Sequence, residues 1–143
     1  MPKTEDSRLP IMALDEVRKA RDFHKSFPQY RPTPLVRLKR MARDLGLMNI
    51  YVKDESHRFG LNAFKVLGGS FAMARYIAKT IGKDVSDLPY EVLISDRVHK
   101  AFGHATFFTA TAGNHCGGVS WAARQLKQKA FVYMPKCSTR ARL

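Results

Sequence analysis

Between Met12 and Ser26 the apolar residues Leu14, Val17, Ala20 and Phe23 recur every three positions, a spacing that lays them along one side of a helix. Asp15 and Glu16 stand near its start, where the helix dipole favours acids. Pro28, Pro32 and Pro34 then force an extended segment, after which Leu35, Leu38, Ala42 and Leu45 trace a second helical stripe stopped by Gly46. Asn49 to Lys53 reads as a short strand. Asp54 to Asn62, polar and containing Gly60, reads as a loop whose last residue can cap the helix that follows. That helix has the clearest pattern in the chain: Val66, Leu67, Phe71, Ala74, Ile77, Ala78 and Ile81 share one face, and Gly82 ends it. A weaker helix spans roughly Ser86 to Lys100. Ala105 to Thr111 is a strand rich in threonine and phenylalanine, Ala112-Gly-Asn114 a tight turn, His115 to Leu126 a helix, and Ala130 to Met134 another strand. A strand, helix and strand in that order predict a right-handed parallel crossover, and with it an α/β fold. The stretch from Lys79 to Asp96, with its Ser86-Asp-Leu-Pro89, is the best candidate for a surface connection or segment boundary.

Composition narrows the class. Of 143 residues 45% are hydrophobic, and nine Phe, five Tyr and one Trp are too many large apolar groups for a chain that stays solvated. No stretch approaches the ~20 apolar residues that cross a bilayer, so no membrane partner is expected. The polar start, Met1 to Arg8, lacks the apolar core of a secretion signal, which makes cytoplasm the expected location. Cys116 and Cys137 form neither a disulfide framework nor a metal pair, in keeping with a reducing compartment and no metal site. Residues 1 to 96 hold all 12 acids, whereas residues 97 to 143 hold eight bases and no acid. Such asymmetry suits a polyanion-binding surface, or a chain whose balancing acids lie elsewhere. The bases are scattered singly and no nucleic-acid module accompanies them, so a nucleic-acid partner is not the expectation.

Two motifs carry candidate chemistry. In Lys53-Asp-Glu-Ser-His-Arg-Phe-Gly-Leu-Asn-Ala-Phe-Lys65 a lysine falls in the first turn of the clearest helix, just after a glycine-containing loop. The positive end of the helix dipole disfavours a charged amine there, and a neutral amine is what Schiff-base chemistry needs. In Thr109-Ala-Thr-Ala-Gly-Asn-His115 a strand runs into a turn at a helix start, where outward backbone N–H groups suit a carboxylate or phosphate. Each also has an ordinary reading. Lys65 can snorkel from an amphipathic helix, and Gly113-Asn114 can be the turn that any crossover needs.

Taken together, Pro32-Thr-Pro-Leu35, Val52-Lys-Asp-Glu-Ser56, Asn62-Ala-Phe-Lys65 and Ala112-Gly-Asn-His115 resemble, in order, the tryptophan-synthase-β type, or fold type II, enzymes that use pyridoxal 5′-phosphate (PLP). Within that class the chain is most similar to the diaminopropionate ammonia-lyases, through Tyr51 to Ser56, Arg58 to Ser70, Gly118-Val-Ser-Trp121 and Val132-Tyr-Met-Pro-Lys136. The resemblance implies a three-layer α/β fold around a parallel sheet. It implies that Lys65 condenses with PLP and later moves the substrate Cα proton, that Phe64 packs on the cofactor ring, and that Asn114 hydrogen-bonds its 3′ oxygen. Thr111, Ala112, Gly113, Asn114 and His115 would hold the substrate carboxylate with their backbone N–H groups. The implied reaction is α,β-elimination of 2,3-diaminopropionate to pyruvate and ammonia, by an enzyme that is a homodimer when full-length.

The departures from the family pattern bear on this reading. Diaminopropionate ammonia-lyases normally carry Asp-Gly-Asn-His, whose Asp is implicated as a second acid or base for the D substrate; here the position is Ala112, as in threonine dehydratases of the same fold type. Cys116, Gly117 and Cys137 also differ from the family residues, and a buried small hydrophobe is the expected role of Cys116. Family members run to well over twice 143 residues, with the glycine-rich phosphate loop far downstream. Residues 1–143 therefore read as the N-terminal portion of a PLP-dependent lyase, truncated before that loop, with activity impaired or absent in the short chain. The alternatives are a threonine or serine dehydratase-like lyase, or a non-catalytic fragment acting as a binding protein.

Overall fold

The computed structural model describes residues 9–138. Two long helices form its centre. In α3 (Lys65–Thr80) the residues Val66, Ser70, Met73, Ala74, Ile77 and Ala78 are buried, three and four apart as one helical face requires. They meet Gly118, Val119, Ala122 and Ala123 of α6 (Asn114–Gln125), whose small side chains let the two backbones approach closely. Phe23 of α1 (Leu14–Lys25) and Phe27 just beyond it close the same core.

The crossover expected from the sequence is present. Strand β3 (Thr106–Ala110) runs parallel to β4 (Lys129–Tyr133), in register from Thr106 opposite Lys129 to Ala110 opposite Tyr133, with α6 joining them. Phe107 and Ala130 pack toward the core. The alternate residues Phe108, Phe131 and Tyr133 point the other way and are exposed, since successive side chains of a strand take opposite faces.

Five expectations are corrected. Leu35 does not begin a helix: β1 (Leu35–Arg37) pairs antiparallel with β2 (Tyr51–Lys53), and only α2 (Lys39–Asp44) of the second stripe is helical. Pro32 and Pro34 hold the chain extended up to Leu35, and the pairing with β2 carries that conformation on to Arg37; Pro28, expected in the same extended segment, lies instead in a turn closed by Tyr30 N–H donating to the Phe27 carbonyl at 2.9 Å. The weak helix over 86–100 is broken into α4 (Tyr90–Leu93) and α5 (Asp96–Phe102), because Ser95 leaves helical geometry and its hydroxyl caps Val98 N–H. The stretch 79–96 is no mere surface connection: Val85, Leu88 and Leu93 are buried, and Ser26 Oγ accepts from Tyr90 N–H at 2.8 Å. Asn62 caps nothing; it sits at φ +53°, and the residue before α3 is Phe64, without a side-chain cap.

Candidate functional site

The segment leading to Lys65 is built on a buried ion pair. Arg58 is only 6% exposed and grips Glu55 with two parallel bonds, Nε to Oε2 at 2.8 Å and Nη2 to Oε1 at 3.0 Å. Its remaining donors reach Thr33 Oγ1 (3.2 Å) and the Arg31 carbonyl (3.2 Å), and Thr33 Oγ1 in turn donates to Glu55. Lys53 Nζ donates to the Thr33 carbonyl. Hydrogen bonds from Arg58 hold the Glu55 carboxyl below its ordinary range, and Glu55 raises the Arg58 guanidinium. Both residues of the pair lie in a 3₁₀ segment, Glu55–Gly60, kinked at Arg58 and Phe59 and opened by Asp54, whose carboxylate accepts from Ser56 N–H at 3.0 Å. This region, read from the sequence as a plain loop, thus ties the proline segment to the approach to α3.

Lys65 is the first residue of α3 and is exposed, as is Phe64 before it. Gly118 fixes what lies opposite: a Cβ on it would sit 2.9 Å from Val66 N and 3.3 Å from Lys65 C. Asn114, one turn before Gly118, shares its face of α6 about 6 Å along the axis, so the exposed Asn114 stands beside the start of α3. His24, buried on α1, supports the same turn from behind. Its Nε2 donates to the Leu67 carbonyl at 2.9 Å and lies 3.2 Å from Ser70 Oγ, and burial pushes its pKa down.

The second motif also sits at a helix start. Gly113 precedes α6 at φ +75°, ψ −138°, a conformation essentially reserved for glycine. In a helix the first N–H groups, here of Gly113, Asn114 and His115, have no intrahelical acceptor and face outward. Thr111 is different: its N–H donates to the Tyr133 carbonyl at 3.0 Å, extending the sheet, so it has only its hydroxyl to offer a ligand. Cys116 is buried with Sγ 2.8 Å from the Gly113 carbonyl, the packing role expected of it. His115 and Thr109 line a groove of about 680 Å³ between α3 and β3, with Tyr76 and Phe107; Phe64, Lys65 and Asn114 are not among its lining residues.

The chemistry of these groups fits the ring end of PLP. A primary amine can condense with its aldehyde, a carboxamide can meet its phenolic oxygen, and an exposed aromatic ring can cover its flat face. Outward amides at the start of α6 suit a carboxylate. Sequence reasoning missed the Arg58–Glu55–Thr33 network and His24. The Arg58–Glu55 spacing of three, one helical turn, was the available signal for the former; nothing local signals His24.

Known proteins share the sequence and the fold of this chain. A family model described as "Pyridoxal-phosphate dependent enzyme" matches residues 27–143. A diaminopropionate ammonia-lyase of Salmonella typhimurium is 49% identical over 117 residues, 82% of this chain and 29% of that protein. Two crystal structures of diaminopropionate ammonia-lyase from Escherichia coli align over 94% of this chain. The complex with D-serine has a TM-score of 0.84 at 44% identity and is covered to 33%. The complex with an aminoacrylate-PLP azomethine reaction intermediate has a TM-score of 0.79 at 42% identity and is covered to 32%. The chain spans about a third of the length of the curated relatives it matches. With the model matching most of its length and the fold agreeing, the chain belongs to the pyridoxal-phosphate dependent enzyme family.

Proposed function

We propose that this chain carries the catalytic lysine and the substrate-carboxylate turn of a diaminopropionate ammonia-lyase, which converts 2,3-diaminopropionate to pyruvate and ammonia. The observation that carries the reading is the close approach at Gly118, which sets Lys65 and Asn114 at neighbouring helix starts. Bound there, PLP would supply an electron sink that stabilises negative charge at the substrate Cα while the β-amino group departs from Cβ. Lys65 holds the cofactor through its Nζ and, once the substrate amine has displaced it, takes the Cα proton. The Asn114 carboxamide donates to the 3′ oxygen, and the Phe64 ring covers the face of the cofactor. The turn from Thr111 through Ala112 and Gly113 to Asn114 and His115 receives the substrate carboxylate, with Thr111 contributing its hydroxyl. The protein carrying this sequence is on this reading cytoplasmic, its two cysteines suiting a reducing compartment, and by the same resemblance it is homodimeric when full-length.

The test is reductive labelling. PLP is added to the chain, fixed with borohydride and located by peptide mapping. Label concentrated on Lys65 is the expected result, together with pyruvate release from 2,3-diaminopropionate by the whole protein that carries this sequence. Label spread evenly over the exposed lysines would overturn the assignment.

A further inference from the structure

We propose that Arg58, through its ion pair with Glu55, is a positioning residue for Lys65. The inference rests on the reading of Lys65 as the cofactor lysine. Between Arg58 and Lys65 the backbone takes left-handed values at Phe59 (φ +49°), Gly60 (φ +72°) and Asn62 (φ +53°). For a bulky residue such as Phe59 this conformation is strained and persists only where the surroundings impose it. Two sets of contacts do so. On one side the buried Arg58 guanidinium is locked by Glu55, Thr33 and the Arg31 carbonyl, and lies 5.5 Å from the centre of the Tyr30 ring. On the other, the Phe59 ring stacks on Trp121 of α6, centroids 4.7 Å apart, and packs against Phe27. The Arg58 carbonyl then accepts Leu61 N–H at 2.9 Å and closes the turn. The ion pair therefore fixes the direction in which the chain leaves β2 and arrives at Lys65, while Trp121 references that direction to the helix that bears Asn114. None of these side chains touches the reacting atoms on this reading; they act through the backbone.

The experiment measures the share of borohydride-fixed PLP on Lys65 relative to the other lysines of the same chain, well below the melting temperature of each variant. Arg58→Lys keeps the charge but loses the two-pronged grip. Because misplacement by an ångström can cost a reacting group about a hundredfold, the share on Lys65 should fall by tenfold or more. Removing one partner of a buried pair can unfold the chain, so the double variant Glu55→Leu, Arg58→Met is made alongside; it removes both charges and keeps the volume. In that variant the fold, followed by circular dichroism, should survive while the selectivity for Lys65 falls. A folded double variant with undiminished selectivity would overturn the positioning role. Wild-type chain without selectivity for Lys65 would instead overturn the reading on which it rests, and the proposal with it.

Discussion

Gly118 touches Val66 backbone to backbone: a single methyl group on Gly118 would lie 2.9 Å from Val66 N and 3.0 Å from its Cα. Neither atom belongs to a flexible side chain, so Gly118→Ala must push α6 away from the first turn of α3. The expected cost is about 1–3 kcal/mol, as for other overpacked sites, read as a lower thermal midpoint. The same displacement should reduce PLP labelling of Lys65, because it separates Lys65 from Asn114.

Gly113, before α6, and Gly117, within it, should respond in opposite ways. Gly113 stands at φ +75°, so Gly113→Ala is strained by about 1–3 kcal/mol although nothing crowds it. Gly117 lies within α6 in ordinary helical backbone with open space around its Cβ position. Gly117→Ala should therefore stabilise the protein by about 0.5–1 kcal/mol. Thermal melts of the two variants check both signs.

Stability should depend on pH through His24. Its pKa is depressed in the folded chain, first by burial, against an ordinary value of 6.5. The unfolded state therefore binds more protons than the folded state below that value, and stability rises with pH there. The contribution is complete above about pH 6.5 and is lost as the pH falls toward the lowered folded value. Thermal midpoints measured from pH 5 to 7.5 should show this slope, and His24→Gln, which keeps a donor for the Leu67 carbonyl, should flatten it.

The bare face of the parallel sheet should drive self-association. Phe108 and Phe131 stack 5.5 Å apart while 63% and 56% exposed, with Tyr133 beside them. A parallel sheet ordinarily has both faces covered. Phe108→Thr with Phe131→Thr should leave the melting temperature nearly unchanged, as exposed substitutions do, and shift sedimentation toward monomer.

At the position of Ala112, a side chain without a titratable group cannot accept a proton. On the proposed function, the whole protein carrying this turn should eliminate ammonia from L-diaminopropionate and be slower by a factor of about 10² to 10⁴ on the D enantiomer. Ala112→Asp should restore the D reaction and leave the L reaction little changed, as read by pyruvate release from each enantiomer.

Local pattern determined α1 and α3, whose apolar periods are long enough to select one geometry; length, composition and the strand–helix–strand order determined α6 and the parallel pair β3–β4, and Gly46, Gly82 and Gly113 mark element boundaries where a positive φ is needed. Local pattern also singled out Lys65 and the strand-to-helix turn of Thr109 to His115, since a lysine or a Gly-Asn at a helix start is a local feature, whereas the parts expected of Phe64, Asn114 and the 111–115 turn came from the family resemblance. Short elements were beyond it. Leu35 fits a helical stripe as well as a strand, and only pairing with Lys53 across β1–β2 decides between them. The tertiary structure alone decided that Arg58 reaches back to Thr33, that His24 supports the Leu67 carbonyl, and that Gly118 abuts Val66. These contacts join residues 25, 43 and 52 positions apart. No periodicity in the chain encodes them, because they arise only when segments far apart in sequence pack: the proline segment against the 55–60 turn, α1 against the start of α3, and α6 against that same start.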